Sequence, residues 1–236
     1  MPRAVVLFSG GLDSMLAVRI LQEQGFEIEA LNIRTPFECC KIPATQAAVD
    51  LGIRMTVVSV EDDYLELIRR PVYGHGKGVN PCIDCRIYLT KMGKRFMEQV
   101  DACVVATGEV AGQRPMSQKR WQLDLIAKHS GLTGRLLRPL SAKLLEPTEP
   151  ELEGLIDRDK LFDFHGRNRT GLIELAAGFG IHEIPQPSTG CALTETSFAP
   201  RVTDLMDHSA VASRWDFELL ATGRHVRVNA EAKVVV

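Results

Sequence analysis

The sequence predicts an α/β fold in which a parallel sheet carries helices on both faces. Two observations predict this class: short β-rich apolar runs alternate with helical patterns, and glycine-bearing or polar loops follow those runs. Such alternation is typical of parallel sheets, because the crossover between two parallel strands usually holds a helix. The chain has 236 residues, of which 45% are apolar. This is enough for a sizeable core.

The predicted elements follow that alternation along the chain. Strands are predicted at residues 4–8, 29–33, 54–60 and 102–107. Helices are predicted at residues 15–24, 43–51, 64–69, 87–99, 151–156, 170–179 and 198–208. Residues 226–228 and 234–236 are again of β type, which favours a strand that pairs with another segment. Ligands bind beyond the carboxyl ends of parallel strands, and the glycine-rich segment 71–81 is expected to be a mobile substrate loop.

The most informative motif joins the first predicted strand to the first helix. It consists of Ser9, Gly10, Gly11, Leu12, Asp13 and Ser14. Glycine can adopt positive φ here and turn several backbone N–H groups toward an anion at the positive end of the helix. No lysine follows the glycines, so this is not the loop that contacts β- and γ-phosphates. The motif predicts an anion site; the alternative is a strand-to-helix turn that binds nothing.

Six cysteines give the chain a second candidate centre. They are Cys39, Cys40, Cys82, Cys85, Cys103 and Cys191. Cys82 and Cys85 form a C-x-x-C turn at a helix start, where the helix end favours thiolate. That turn fits a zinc half-site, an iron–sulfur ligand pair or a redox dithiol, and Cys191 would complete a three-thiolate set with one open position. Cys103 is expected in the core, and Cys39 and Cys40 in loop packing.

The charge distribution and the length of the first apolar run limit the partners that we expect. The net charge is −2, yet residues 86–143 hold eleven Lys and Arg against four acids, while residues 144–163 are acidic. A basic block suits a polyanionic substrate. Ordinary solvated helix faces are the alternative. The first apolar run is far shorter than a secretory signal or a membrane span, so we expect a cytoplasmic protein with no membrane partner.

The first motif resembles the PP-loop of the ATP pyrophosphatase superfamily. Residues 80–85, 107–113, 112–118 and 138–143 extend the resemblance to PP-loop enzymes that insert sulfur into tRNA, as in the catalytic domain of 4-thiouridine synthases. The resemblance implies that ATP is cut between its α- and β-phosphates, that AMP activates a carbonyl oxygen and that sulfur then replaces the oxygen. It also implies a PP-loop nucleotide-binding domain over residues 1–140, a helical segment over 141–209 that completes the site with Cys191, and a β-type tail over 210–236.

The same resemblance implies roles for individual residues. The expected ATP-binding residues are Ser9, Gly10, Gly11, Leu12, Asp13, Ser14 and Gly108. Asp13, Glu109 and Cys191 are the expected catalytic residues, with Glu109 holding Mg²⁺ or positioning substrate. The basic block supplies the expected RNA-binding residues, Arg114, Lys119 and Arg120, of which Lys119 and Arg120 directly follow the 112–118 motif. Cys82, Cys85 and Cys191 are the expected ligands of a 4Fe-4S cluster, with zinc as the alternative metal.

The expected partners are tRNA and either a sulfur-donor protein or free sulfide, and a homodimer is compatible with the sequence. Two rival functions stay open at this point: sulfur insertion or removal on a small molecule, and a zinc-bound nucleotide-binding module without catalysis. His75 and His165 are expected to be exposed loop histidines.

Overall fold

The computed structural model describes residues 1–37, 44–186 and 191–236, so Cys39 and Cys40 lie outside the described residues. Its strands and helices occur in this order: β1 (Arg3–Leu7), α1 (Leu12–Glu23), β2 (Glu27–Arg34), α2 (Ala44–Asp50), β3 (Arg54–Ser59), α3 (Asp62–Arg69), α4 (Cys82–Gln99), β4 (Val104–Thr107), α5 (Arg120–Ser130), β5 (Leu136–Leu137), α6 (Glu149–Leu152), α7 (Thr170–Gly178), α8 (Ala199–His208), α9 (Arg214–Leu219), β6 (His225–Arg227) and β7 (Lys233–Val235).

The central sheet has the strand order β3-β2-β1-β4-β5. β1 pairs in parallel with both β2 and β4, and β4 pairs in parallel with β5. Val5 of β1 therefore lies between Glu29 of β2 and Val105 of β4. The predicted α/β class with a parallel sheet is confirmed. All four predicted strands end within two residues of an observed strand.

The core explains why these segments form the centre of the sheet. Ala4, Val5 and Val6 of β1 and Val104 to Ala106 of β4 are fully buried. Continuous apolar runs of this kind are expected in parallel strands that are covered on both faces. α1 and α7 pack onto the same core through side chains such as Leu16 and Leu172.

Three elements were not predicted: α5, α9 and the short strand β5. α5 carries few apolar side chains, and its pattern is weak because Trp121 points outward while Leu123 and Ile126 are buried. The helix ends at Gly131, which adopts a left-handed conformation with φ 70°. Two further boundaries differ. α4 begins at Cys82 instead of residue 87, and α6 is shorter than predicted because Gly154, at φ 74°, follows its last turn.

The chain divides into two compact units. Unit 1 contains Met1–Ile33, Ile42–Val58 and Arg86–Pro187, and unit 2 contains Arg34–Lys41, Ser59–Cys85 and Ser188–Val236. An aromatic cluster of Phe37, Tyr64, Phe198 and Phe217 forms the core of unit 2. The β-type tail forms an antiparallel hairpin in which Val226 of β6 faces Val234 of β7. The domain boundaries at residues 140 and 209 stay predictions. Over the described ranges, no helix is long and apolar enough to cross a membrane.

Candidate active site

The Ser9–Ser14 loop lies where β1 ends and α1 begins, in unit 1. Phe8 continues the strand, since its N–H donates to the carbonyl of Leu31 at 2.8 Å, and Asn32 Nδ2 donates to the Phe8 carbonyl at 2.8 Å. The chain then turns at Gly10, which has φ 76°. A Cβ on Gly10 would lie 2.7 Å from Ala44 Cα, so this position needs glycine for both conformation and space.

The serines of the loop bond within the loop itself. Ser14 Oγ donates to the carbonyl of Gly11 at 2.8 Å, and the N–H of Gly11 donates to Ser9 Oγ at 3.3 Å. Ser14 is buried, whereas Ser9 is exposed. These contacts hold the turn at the N-terminus of α1, where the helix end favours an anion.

Asp13 occupies the first turn of α1, and only one of its two carboxylate oxygens has a hydrogen-bond partner among the described residues. Gln113 Nε2 donates to its Oδ2 at 3.0 Å. Its other oxygen, Oδ1, is buried and has no hydrogen-bond partner among the described residues. A buried carboxylate oxygen in this state carries a desolvation cost until it meets a donor or a cation. Carboxylate oxygen is the ligand that Mg²⁺ prefers, so Asp13 fits the Mg²⁺ that the PP-loop resemblance implies.

Gly108 follows β4 and touches the loop directly. A Cβ at this position would lie 2.4 Å from the carbonyl carbon and oxygen of Asp13 and 2.5 Å from the nitrogen of Ser14. Only glycine therefore lets the end of β4 approach the first turn of α1. The structure brings Gly108 and Asp13, two of the predicted site residues, into contact.

Glu109 is buried between two guanidinium groups of unit 1. Its Oε2 lies 3.0 Å from Arg138 Nε, and its Oε1 lies 3.6 Å from Arg86 Nε. Thr107 Oγ1 also donates to Oε2, at 3.2 Å. Burial by itself would raise the pKa of Glu109, but Arg138 and Arg86 together hold the pKa below its ordinary value. The structure thus places Glu109 in an internal ion-pair cluster that fixes the segment after β4.

The predicted RNA-binding residues lie around a loop that follows this cluster. The loop, residues 112–118, is closed by hydrogen bonds from the Gly112 N–H to the Gln118 carbonyl at 2.7 Å and from the Arg114 N–H to Gln118 Oε1 at 2.9 Å. Arg114, Lys119 and Arg120 are exposed. Arg120 Nη2 lies 2.9 Å from Glu146 Oε1 at the surface.

The predicted metal ligands all lie in unit 2. Cys82 and Cys85 stand in the first turn of α4, and Cys191 precedes a short 3-10 turn whose Ala192 N–H donates to the Phe37 carbonyl at 3.1 Å. Cys85 Sγ lies 3.2 Å from the hydroxyl of buried Tyr64. Within residues 1–37, 44–186 and 191–236, no group of three or more His, Cys, Asp or Glu side chains is placed to hold a metal ion. The three thiols do not form the expected ligand set, and the predicted 4Fe-4S cluster or zinc site is not supported.

Other predicted features also have defined positions. Cys103 precedes β4, and burial raises the pKa of its thiol, as expected for a packed, unreactive cysteine. The segment at 71–81 is anchored within unit 2: Asp84 accepts hydrogen bonds from the N–H groups of Val72 and Tyr73 at 2.9 and 3.1 Å. His75 Nε2 lies 2.8 Å from the Ile68 carbonyl. His165 packs against Gly112, where an added Cβ would lie 2.7 Å from its Nε2.

Sequence reasoning missed four residues that shape these sites: Gln113, Arg86, Arg138 and Tyr64. Gln113 and Arg138 fall inside motifs that carry the resemblance, but neither motif indicates a contact with Asp13 or Glu109. Arg86 directly follows the C-x-x-C turn, and its partner lies 23 residues further on. No spacing rule links Tyr64 to Cys85. These contacts arise from the tertiary fold alone.

The sequence matches the family model described as tRNA methyl transferase HUP domain over residues 2–130, more than half of the chain. The tRNA-specific 2-thiouridylase MnmA of Sulfurimonas denitrificans is 34% identical over 119 residues, which cover 46% of this chain and 35% of that protein. MnmA 1 of Fusobacterium nucleatum is 33% identical over 111 residues, 45% of this chain and 30% of that protein. MnmA of Leptospira interrogans is 31% identical over 129 residues, 46% of this chain and 34% of that protein.

The chain thus spans about a third of the length of the curated relatives it matches. A solved structure, described as the predicted subunit of tRNA methyltransferase from Methanocaldococcus jannaschii, aligns with a TM-score of 0.46 and 18% identity. The alignment covers 75% of this chain and 76% of that chain.

Proposed function

Because this chain belongs to the tRNA methyl transferase HUP-domain family, we propose that it is an ATP-dependent sulfurtransferase that acts on tRNA. The family membership agrees with the PP-loop resemblance of the sequence. The relatives named above are called 2-thiouridylases, so the proposed target atom is a uridine carbonyl oxygen, with O2 as the first choice. ATP and tRNA both occur in the cytoplasm, where we place the reaction.

The first proposed step activates the carbonyl oxygen. The oxygen attacks the α-phosphate of ATP, the bond between the α-phosphate and the β-phosphate oxygen breaks, and pyrophosphate leaves. The Ser9–Ser14 loop binds the pyrophosphate portion at the N-terminus of α1. Mg²⁺, when bound by Asp13, would neutralise charge on the phosphates. Adenylation is needed because a carbonyl oxygen leaves poorly until it has become part of a phosphoester.

The second proposed step brings in sulfur. Hydrosulfide attacks the adenylated carbon, the carbon–oxygen bond to AMP breaks, and a C=S bond remains after loss of the sulfhydryl proton. Alternatively, a donor protein loads Cys191 as a persulfide. In that route the outer persulfide sulfur attacks the adenylated carbon and AMP leaves. A thiolate of Cys82 or Cys85 then attacks Cys191 Sγ and breaks its bond to the transferred sulfur. This frees the C=S product and leaves a disulfide with Cys191, which an external thiol must reduce. Neither route uses an iron–sulfur cluster.

Glu109 acts in this proposal as a positioning residue. Its Oε2 lies 3.0 Å from Arg138. Its Oε1 has no hydrogen-bond partner among the described residues but lies 3.6 Å from Arg86. Because each oxygen already faces a guanidinium charge, unlike Oδ1 of Asp13, Glu109 is a poor ligand for Mg²⁺. Its place directly after Gly108 means that the ion-pair cluster fixes the glycine against Asp13. In this proposal residues 1–140 bind the nucleotide, residues 141–209 complete the site with Cys191, and residues 210–236 form a β-type tail.

The observation that carries the proposal is the state of Asp13 at the phosphate loop. One of its oxygens is fixed by Gln113 at 3.0 Å, and the other is buried without a hydrogen-bond partner among the described residues. This arrangement prepares a carboxylate for a cation beside an anion-binding helix end.

The test supplies ATP, sulfide and an unmodified tRNA transcript, and follows both nucleotide products and the modified nucleoside by mass spectrometry. We expect AMP, pyrophosphate and thiouridine in equal amounts. Asp13→Asn should lower the rate by roughly 100-fold, as for loss of a transition-state charge contact. Glu23→Gln, an exposed change at the other end of α1, is the matched control and should have no effect.

Two results would contradict the proposal. Release of ADP and phosphate as the only products would exclude cleavage between the α- and β-phosphates. AMP formation that depends on a free thiopyrimidine or another small carbonyl compound, and not on tRNA, would assign the chain to the small-molecule alternative.

A further inference from the structure

An exposed face of unit 1 combines apolar side chains with cations. We call the stacking face the surface formed by Arg114, Met116, Lys119, Arg120 and Trp121. Met116 is 42% exposed and Trp121 is 56% exposed. Large apolar side chains grouped at a surface and bordered by charge indicate a binding site more often than scattered ones do. The face is therefore a candidate for a ligand that offers both apolar area and negative charge.

The backbone under the stacking face is fixed by buried polar side chains. Gln122, 4% exposed, accepts a hydrogen bond from the Lys119 N–H at 2.9 Å and donates to the Pro115 carbonyl at 3.4 Å. Gln118, 2% exposed, closes the 112–118 loop from inside. Gln122 thus ties Pro115, the neighbour of Met116, to the first turn of α5, which carries Trp121. Met116 and Trp121 are therefore both attached to backbone that these hydrogen bonds fix.

The same loop reaches the phosphate site. Gln113 extends from the 112–118 loop to Asp13 Oδ2 at 3.0 Å, and Gln118 closes that loop. A nucleotide held at the stacking face would therefore be positioned by the segment that also holds the Asp13 carboxylate. This continuity lies entirely within unit 1.

The charges of the face favour a polyanion. Arg114, Lys119 and Arg120 are exposed and lie within seven residues of Trp121 in the sequence, and Asp124 is an exposed acid of the same helix, α5. Arg120 is paired with Glu146, which is 86% exposed. Surface ion pairs of this kind are weak and easily exchanged, so a phosphate can replace Glu146. A single-stranded RNA loop supplies phosphates and unstacked bases together, and bases stack on aromatic side chains.

We infer that Trp121 is a stacking platform for an unstacked base of a tRNA loop, with Arg114 and Lys119 holding the neighbouring phosphates. This inference rests on the proposed function, because it assigns part of the surface that grips the RNA substrate. Met116, 42% exposed, adds an apolar side chain from the same 112–118 loop. The platform binds any exposed base without preference for its identity, because every base has a face that can stack.

The chain offers a direct spectroscopic test because it contains only two tryptophans, Trp121 and Trp215. In a Trp215→Phe background all tryptophan fluorescence comes from Trp121. Titration with an unmodified tRNA transcript should quench the Trp121 fluorescence in proportion to the RNA bound. Filter retention measures the amount of bound RNA independently. Trp121→Ala should weaken RNA binding by roughly 10-fold, and Trp121→Phe should keep the affinity within about 3-fold, because a ring remains for stacking.

Trp215→Ala is the control: it removes a tryptophan of unit 2 that is 79% exposed, against 56% for Trp121, and should leave RNA affinity unchanged. Thermal unfolding of each variant checks that the fold is retained. RNA binding without quenching, or equal affinities of the wild type and Trp121→Ala, would overturn the platform and leave the proposed function standing. A wild-type chain that binds no tRNA transcript at low salt, and forms AMP without RNA, would overturn the proposed function and the platform together.

Discussion

Unit 1 and unit 2 each contain part of the predicted site, and they differ in how far the fold alone fixes the chemically important groups. In unit 1, Gly10, Gly108 and Asp13 are locked by backbone contacts in which even one added Cβ would collide. In unit 2, Cys82, Cys85 and Cys191 are half-buried, and the described part of the chain brings together no group of three or more side chains that could hold a metal ion. The backbone contacts of unit 1 thus fix the Ser9–Ser14 loop, whereas over residues 1–37, 44–186 and 191–236 the thiols of unit 2 are not placed as a group that could hold a metal ion.

The carboxylates of the two units show the same difference. Glu109 of unit 1 is 6% exposed and faces Arg138 and Arg86, while Asp204 of unit 2 is 25% exposed and binds Arg227 and Lys233. A buried pair is costly to break, because removal of one partner leaves a charge without water or a counter-ion. A pair that is about a quarter exposed, such as Asp204 with Arg227, is partly screened by solvent. Disruption should therefore affect unit 1 more than unit 2, which the following variants test.

The largest expected effect is on stability, from Glu109→Gln. The change leaves Arg138, 4% exposed, without its negative partner, and breaking a buried pair in this way costs about 3 kcal/mol. Urea unfolding at pH 7 measures it. Glu98→Gln is the control, because Glu98 is 60% exposed and its pair with Lys94 spans 3.8 Å. Equal unfolding free energies for the two variants would contradict the premise that a buried ion pair is costlier to break than an exposed one.

The Glu109 contribution should also depend on pH. Burial raises the pKa of Glu109, but Arg138 and Arg86 bring it below the ordinary value of 4.5. The unfolded chain then binds more protons than the folded chain between the two pKa values, so stability falls with falling pH in that interval. The advantage of the wild type over Glu109→Gln should be complete at neutral pH and shrink below about pH 4.5. An advantage that grows on acidification would contradict the assignment.

The second expected effect is on turnover, from Gly108→Ala. The added Cβ would lie 2.4 Å from the Asp13 backbone, so the first turn of α1 must shift away from β4. We expect the rate of AMP formation to fall roughly 100-fold, the size typical for a misplaced charge-stabilising group. Gly178→Ala, at an exposed glycine of α7 with nothing within 4 Å, is the control. A fully active Gly108→Ala enzyme would show that this close contact is not needed.

The parts of unit 1 that the sequence could predict are local. The order strand, glycine turn, helix follows from neighbouring residues, and the apolar runs of β1 and β4 are by themselves enough to identify the buried strands. The contact of Gln113 with Asp13 joins residues 100 positions apart, and that of Glu109 with Arg138 joins residues 29 apart. No periodicity or spacing encodes such pairs, because the sheet order brings them together.

The cysteine centre shows where motif reasoning stops. The C-x-x-C spacing correctly places two thiols at the start of α4, since a helix start is a local property. The predicted third ligand, Cys191, is more than 100 residues away, and it precedes a 3-10 turn whose Ala192 N–H donates to the Phe37 carbonyl. The spacing of cysteines in the sequence can suggest such a ligand set, but it does not determine where the fold places the three side chains. α5 was missed for the related reason that its outward Trp121 breaks the apolar pattern.

The third expected effect is confined to the tail of unit 2, from Asp204→Asn. Asp204 on α8 accepts hydrogen bonds from Arg227 at 2.7 and 2.9 Å and from Lys233 at 2.7 Å, which ties both strands of the hairpin to the helix. Arg227 is the main cause that keeps the pKa of Asp204 far below its ordinary value. We expect hydrogen exchange at Val226 and Val234 to rise about 10-fold, as expected for local opening. Asp207→Asn, at an exposed residue of α8, is the control. Equal exchange rates in both variants would show that the bonds of Asp204 do not hold the hairpin against α8.

The smallest expected effect is on the reactivity of one thiol, from Tyr64→Phe. The Tyr64 hydroxyl lies 3.2 Å from Cys85 Sγ, and the ring packs beside Phe37 in the core of unit 2. Phenylalanine keeps the ring and removes only the hydroxyl, so the fold should be retained. An O–H donor favours the thiolate, which is the nucleophilic form, and its loss should slow alkylation of Cys85 about 3-fold at fixed pH. Mass spectrometry resolves Cys85 from Cys82, which serves as the internal control in the same peptide region. A parallel change at both cysteines would indicate a general loosening of the start of α4, whereas a change at Cys85 alone shows that the hydroxyl tunes this thiol.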